Sequence, residues 1–192
     1  VGILFTFSHR LRTSPGKDSM AFLEKHLVVK KSIIPGAGLG LFTSVDIKKG
    51  TWIVEYKGEI LTWKEVEKMA DHRNGYVFHV YNTHVIDAWN RKSAKARYAN
   101  DANGISRVEG VRNNCEYHVF RRRCYIKAVR NIPAGSEILV SYGNEYWRAI
   151  RDNIREEEKE AAKANNKAAA GKKAKSARLP HQDNLKLRKK KK

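Results

Sequence analysis

Two phenols stand where they could do chemistry: Tyr142, in Glu137-Ile-Leu-Val-Ser141-Tyr142-Gly143, and Tyr56, in Glu55-Tyr-Lys-Gly-Glu59. A tyrosine hydroxyl can orient a reacting lone pair without adding a charge beside it. Between them lie Arg97-Tyr98-Ala99-Asn100-Asp101-Ala102 and Asn113-Asn114-Cys115-Glu116-Tyr117, and Trp147 follows. Taken singly, each has an ordinary reading: a strand-end tyrosine with a satisfied hydroxyl, an Asn-Asp turn, an indole in the core. Gly36-Ala37-Gly38-Leu39-Gly40 invites a dinucleotide-binding reading, with Glu59 about 20 residues on, where a ribose-binding acid would sit. Context excludes it, because such a loop must open a helix, whereas Leu41-Phe42-Thr43-Ser44-Val45 continues as strand. A plain hairpin turn stays open as the alternative. Glu55 and Glu59 fit strand and turn structure and receive no acid/base role. The seven histidines show no ligand-type spacing, and Cys115 and Cys124 lack the Cys/His neighbours of a structural zinc site, so no metal is expected.

The elements that must position these residues are short. Glycine-punctuated β-like runs cover Leu27 to Lys31, Leu39 to Thr43, Trp52 to Glu59, Tyr76 to Tyr81, Val85 to Ala88, Tyr117 to Arg121, Cys124 to Val129 and Glu137 to Val140. The expectation is a mostly β domain with few helices. Thr62 followed three residues on by Glu65 is a capping-box signature, and Val66, Met69 and Ala70 supply a helical stripe that would cover the sheet edge. From about Glu145 the composition favours helix as far as Ala170. Beyond Gly171 the Lys-rich segment lacks the apolar content to offset its ordering entropy. The organisation expected is an N-terminal extension over 1–26, a globular domain over 27–147, a helix over 148–170 and a basic disordered tail over 171–192.

Composition sets the outer bounds. At 192 residues and 41% hydrophobic content the chain fits one domain with a sizeable core. Two cysteines build no disulfide framework, which fits a reducing compartment. No run approaches the roughly 18 apolar residues of a membrane span, and Val1 to Phe7 is too short for a secretory signal, so a soluble intracellular protein is expected. Net charge is +19, and from Arg148 onward sixteen Lys/Arg face six Asp/Glu, so over half of the excess lies there. The tail reads either as a solvated flexible segment or as a non-specific contact to DNA or RNA phosphates. A terminal lysine run also fits a nuclear or nucleoid-associated protein.

Taken together and in order, Gly38-Leu-Gly40-Leu-Phe42, Glu55-Tyr-Lys-Gly-Glu59, Arg97 to Ala102, Asn113 to Tyr117 and Glu137 to Trp147 resemble the SET-domain protein-lysine methyltransferases over roughly Leu27 to Trp147. The resemblance implies a SET-domain fold of short sheets with a C-terminal pseudoknot, followed by a helix, in which the segment near Tyr142 threads under a loop of the Asn100 region. It implies S-adenosylmethionine as cofactor, leaving as S-adenosylhomocysteine. Gly38, Leu39 and Gly40 match the loop that approaches the methionine part, and Tyr76 matches an aromatic that touches the cofactor. Asn100 and Asp101 match an Asn-His pair whose backbone holds the adenine, with Arg97 just before them, and Trp147 would stack near the adenine. Tyr142 matches the catalytic tyrosine, and Tyr56 the tyrosine that hydrogen-bonds the substrate amine. Three departures stand out: Asp101 in place of His, the insertion Gly104 to Arg112, and no zinc-binding cysteine cluster after the domain.

The implied reaction is attack of a neutral lysine amine on the methyl of a sulfonium. Lysine titrates near 10.4, so presenting it neutral near pH 7 costs roughly 4–5 kcal/mol unless the site lowers that value. An apolar channel and an adjacent cation both do so. Val140, two before Tyr142, is small where many relatives carry Phe or Tyr, which leaves room for di- or trimethyllysine. The expected substrate is a lysine of a histone or other basic protein, possible DNA or RNA contact being left to the tail. The alternative is a non-catalytic SET-like binding module recruited to nucleic acid by that tail.

Overall fold

The computed structural model describes residues 23–69 and 75–176. The expected extension over 1–22, Ala70 of the helical stripe, and the tail over 177–192 lie outside them. Among the described residues eight short strands form three antiparallel sheets. β1 (Leu27–Lys31) pairs with β2 (Leu39–Thr43). β3 (Trp52–Glu55), β7 (Cys115–Phe120) and β8 (Arg123–Ala128) form a second sheet in the order β3-β8-β7. β4 (Glu59–Leu61), β5 (Val77–Tyr81) and β6 (His84–Asp87) form a third in the order β4-β6-β5. The core sits around β3 and β8, where Trp52, Ile53 and Val54 and Cys124, Tyr125 and Ile126 are consecutively buried, as strands covered on both faces require.

Two expected elements come out differently. The run Trp52 to Glu59 is two strands in two sheets: Tyr56 N–H still donates to the Cys124 carbonyl at 2.8 Å, after which the chain leaves β8 and pairs with β6. The capping-box helix exists as α1 (Trp63–Glu67), with the Glu65 carboxylate accepting Thr62 N–H at 2.6 Å. It lasts little more than a turn and buries no residue, so among the described residues β4 stays an uncovered edge. The β7–β8 hairpin closes through Arg121 and Arg122, at φ 46° and 64°, between the paired Phe120 and Arg123. Two-residue turns with both φ positive normally use Asn-Gly, since a left-handed residue with a Cβ costs about 1–2 kcal/mol.

Residues 137–140, expected as a strand, form single bridges instead: Phe42 with Glu137, Asn100 with Leu139, and Cys115 with Val140. Ile138 N–H donates to the Leu41 carbonyl at 2.7 Å, and Val140 N–H to the Asn100 carbonyl at 2.8 Å. The Leu139 carbonyl accepts Cys115 N–H at 2.9 Å, and the Asn114 side-chain amide adds bonds to Leu139 N–H at 2.9 Å and the Glu137 carbonyl at 2.8 Å. The segment is thus gripped by both ends of the 100–115 loop, which is the threaded crossing. The Glu137 carboxylate, 3% exposed, accepts bonds from Ser32 Oγ at 2.7 Å, Ile33 N–H at 2.8 Å and Asn100 Nδ2 at 3.1 Å. Gly40 is where it is because a Cβ there would collide with that carboxylate.

α2 runs Asn144–Ser176, correcting the expected helix at both ends. It starts before residue 148, and one glycine at 171 in an Ala/Lys-rich run, costing about 1 kcal/mol, does not stop it. The chain divides into units 1–149 and 150–192, the described part of the second being the rest of α2. Among the described residues no helix is long and apolar enough to cross a membrane. Glu137→Ala leaves three donors without their acceptor, at about 1–3 kcal/mol each. The expected loss is at least about 3 kcal/mol of unfolding free energy by denaturant titration; a loss under 1 kcal/mol means the crossing is held otherwise.

Candidate active site

β2, the turn before it, the 3-10 turn Lys95–Tyr98, the 100–106 loop and the first turn of α2 enclose a cleft of about 560 Å³. Eight sequence-nominated residues line it: Gly38, Leu39, Tyr76, Arg97, Asn100, Asp101, Tyr142 and Trp147. Gly40 does not, being packed behind the wall on Glu137. Gly38 holds φ at 73°, a conformation that favours glycine, and so lets the wall turn into β2. Asn100 has its carbonyl engaged by Val140 and its side-chain N–H groups by the Leu39 carbonyl at 3.0 Å and Glu137.

Asp101, 4% exposed, is the hub. One carboxylate oxygen accepts Asn103 N–H at 2.8 Å and Asn113 Nδ2 at 2.7 Å; the other accepts Tyr142 N–H at 2.7 Å and Trp147 Nε1 at 2.8 Å. It therefore fixes the backbone of one nominated phenol and the indole beside it. Trp147 lies parallel to Tyr142, ring centres 5.8 Å apart and planes 10° apart, while Tyr146 meets both edge-on at 4.9 and 5.1 Å. Among the described residues the peptide N–H and C=O of Asp101 have no hydrogen-bond partner.

Arg97 lies over the Tyr76 ring at 4.0 Å, a cation–π contact. Its buried Nε has no hydrogen-bond partner among the described residues.

Behind the cleft stands a group of neutral phenols. Tyr142 donates to the Ala99 carbonyl at 2.7 Å, and Tyr56 to the Tyr76 carbonyl at 2.9 Å. Tyr117 meets the Tyr56 ring at 5.8 Å and Phe78 at 5.1 Å. Burial pushes all three hydroxyls well above the ordinary tyrosine value, and the neighbouring phenols raise Tyr117 and Tyr142 further. Sequence reasoning missed Tyr117 and Phe78, which it read only as strand residues, and Tyr146. It also missed Gly104, Ile105 and Ser106, part of the insertion, which form a cleft wall. The positions of Tyr146 and Trp147 in one helical turn were the available signal for the first. Among the described residues no group of three or more His, Cys, Asp or Glu could hold a metal.

Residues 38–143, more than half of the chain, match the model of the family described as SET domain. The histone-lysine N-methyltransferase EZH2 of Chaetomium thermophilum is 27% identical over 152 residues, covering 72% of this chain and 10% of that protein. The histone-lysine N-methyltransferase ASHH1 of Arabidopsis thaliana is 30% identical over 122 residues, covering 58% of this chain and 23% of that protein. A solved structure of a humanized mutant of the Chaetomium thermophilum Polycomb Repressive Complex 2 with the inhibitor GSK126 aligns at TM-score 0.50 and 27% identity, over 62% of this chain and 15% of that one. The chain thus spans less than a quarter of each of these relatives. The family match runs from the Gly38 wall of the cleft through the threaded segment to Gly143, and the chain belongs to the SET domain family.

Proposed function

We propose that this protein transfers methyl groups from S-adenosylmethionine to the side-chain amine of a protein lysine. The observation that carries the reading is the meeting, at Tyr142, of a ligand-sized cleft with a bare buried guanidinium and a cluster of un-ionised phenols. The cleft volume of about 560 Å³ suits a cofactor of that size. Arg97 Nε would take the carboxylate of the methionine part, the Asp101 peptide groups the edge of the adenine, and Tyr146 and Trp147 its face. Leu39 and the Cβ-free Gly38 leave backbone accessible on the opposite wall. When bound there, S-adenosylmethionine supplies an electrophilic methyl on a sulfonium, which a neutral amine takes with release of S-adenosylhomocysteine.

The chain's part is to present that amine. Tyr56, Phe78 and Tyr117 pack ring against ring near the buried Tyr142, bringing aromatic faces and hydroxyls but no charge of their own, so an ammonium brought among them would be destabilised relative to the amine. The hydroxyls of Tyr56 and Tyr142 are tied to backbone carbonyls, so their oxygens are oriented before the substrate arrives. The relatives named as histone-lysine N-methyltransferases support a histone or another basic protein as substrate and action in the nucleus.

The assay is incubation with labelled S-adenosylmethionine, histones and a mixed protein lysate. Wild type is expected to label lysine and Tyr142→Phe to do so at least about 100-fold more slowly; no Tyr142-dependent transfer leaves a non-catalytic binding module standing. Val140 is fully buried beside the crossing and small. Mass spectrometry of an exhausted reaction is expected to find di- or trimethyllysine, whereas an end point at monomethyllysine refutes the space argument. The pH profile follows from the raised phenol values. A group that stays neutral when folded and ionises near 10 when unfolded stabilises fully below about pH 10 and loses that contribution above it. Activity should therefore climb with pH as the substrate lysine deprotonates, with no descending limb below about pH 10, and melting temperature should fall above it. A descending limb at pH 8–9 would assign an ionising tyrosine to the site.

A further inference from the structure

A second groove, of about 400 Å³, shares Tyr56 with the phenol cluster. Its floor is apolar, with Ile60 and Ile86 directly paired across β4 and β6. The next residue in that cross-strand row is Phe78, which packs on Tyr56 and Tyr117, so the floor leads toward the cluster. The rim is basic: Lys57, Arg91, Arg121, Arg122 and Arg123, with His84. Glu55 is the one lining carboxylate and is already 3.7 Å from Arg123. Among the described residues Arg91, Arg121 and Arg122 have no carboxylate partner.

Two further features mark this rim. Arg121 and Arg122 both sit at positive φ, where side chains with a Cβ are disfavoured and Asn-Gly would close the turn without strain. The proton affinity of His84 is lowered by its partial burial and by the Arg122 cation. Guanidinium forks match planar carboxylates in two parallel bonds. The uncovered β4 edge, with Ile60 52% exposed, offers backbone and an apolar seat to an extended peptide.

We propose that this groove binds an acidic stretch of the protein substrate flanking the target lysine, so that the enzyme selects lysines with Asp or Glu beside them over lysines in wholly basic tails. This rests on the lysine-methyltransferase reading for the identity of the bound segment. A peptide fits the observations better than a nucleic-acid backbone, because the groove is short, has an apolar floor and ends at the phenols.

The test uses the full chain and three peptide sets with one central lysine, flanked by Asp/Glu, by Ala/Ser or by Arg/Lys. Binding is read by fluorescence anisotropy and methyl transfer by label incorporation. The variant is Arg121→Asn with Arg122→Gly, which installs the turn pair the backbone prefers and removes two charges without endangering the fold. Wild type should bind and methylate the acidic set about tenfold better at low salt, with the preference cut at least about threefold in the variant and by added salt. Equal or better use of the neutral or basic sets overturns the proposal. So does a variant that keeps its peptide preference but loses affinity for a labelled single-stranded DNA oligomer, which would make the groove a nucleic-acid surface. Acidic preference in binding without transfer to any peptide or histone keeps the groove and removes the enzyme reading, and transfer without preference does the reverse.

Discussion

The structure depends on a segment that cannot form an ordinary strand. Residues 137–140 have neighbours on every side, yet none of these contacts extends into a ladder. Their backbone groups are satisfied by Leu41, Asn100, Cys115 and the amide of Asn114, drawn from three separate parts of the chain. Buried polar backbone left unpaired is costly, so each partner is obligatory. The two buried carboxylates beside it, Glu137 and Asp101, meet no Lys or Arg among the described residues and accept hydrogen bonds instead. Spreading a carboxylate over several N–H and O–H donors binds as many chain segments to one point, which a single ion pair does not do.

The same device sets the site. Asp101 bonds to Tyr142 N–H and Trp147 Nε1, so the wall of the cleft and a member of the phenol cluster are positioned by one side chain. At the sequence level Asp101 stood as a substitution tolerable if the contact there ran through backbone. Among the described residues its peptide groups have no hydrogen-bond partner, while its side chain holds Asn103, Asn113, Tyr142 and Trp147. Burial, with neighbouring phenols adding to it, keeps the Tyr117 and Tyr142 hydroxyls un-ionised.

What the sequence revealed and concealed divides along physical lines. The paired strands were legible as short apolar runs cut by glycines, and the capping box of Thr62 and Glu65 is a local motif with a local cause. The split of Trp52 to Glu59 between sheets was not legible, since apolar residues continue through it and only the partner changes. Eight of the ten nominated site residues line one cleft because ordered motifs carried them; Tyr117 and Phe78 escaped because a site-facing aromatic on a strand looks like core. Gly40 shows the converse: a glycine in a motif, required by a carboxylate on the threaded segment and not by the cleft.

The crossing also fixes an order of events. The walls built from Gly38, Tyr76 and Arg97 leave the ribosome well before Tyr142, and at about 5–20 residues per second the nascent chain waits seconds for its last piece. Until residues 137–142 enter the loop, the Asn114 side chain lacks its partners at Glu137 and Leu139, and Asp101 lacks Tyr142 N–H. Contacts this far apart in sequence close slowly, because loop entropy is lost before any bond rewards it. The cleft therefore takes its final shape only once the threaded segment is in place, because Tyr142 and Trp147 reach Asp101 and Ala99 only then.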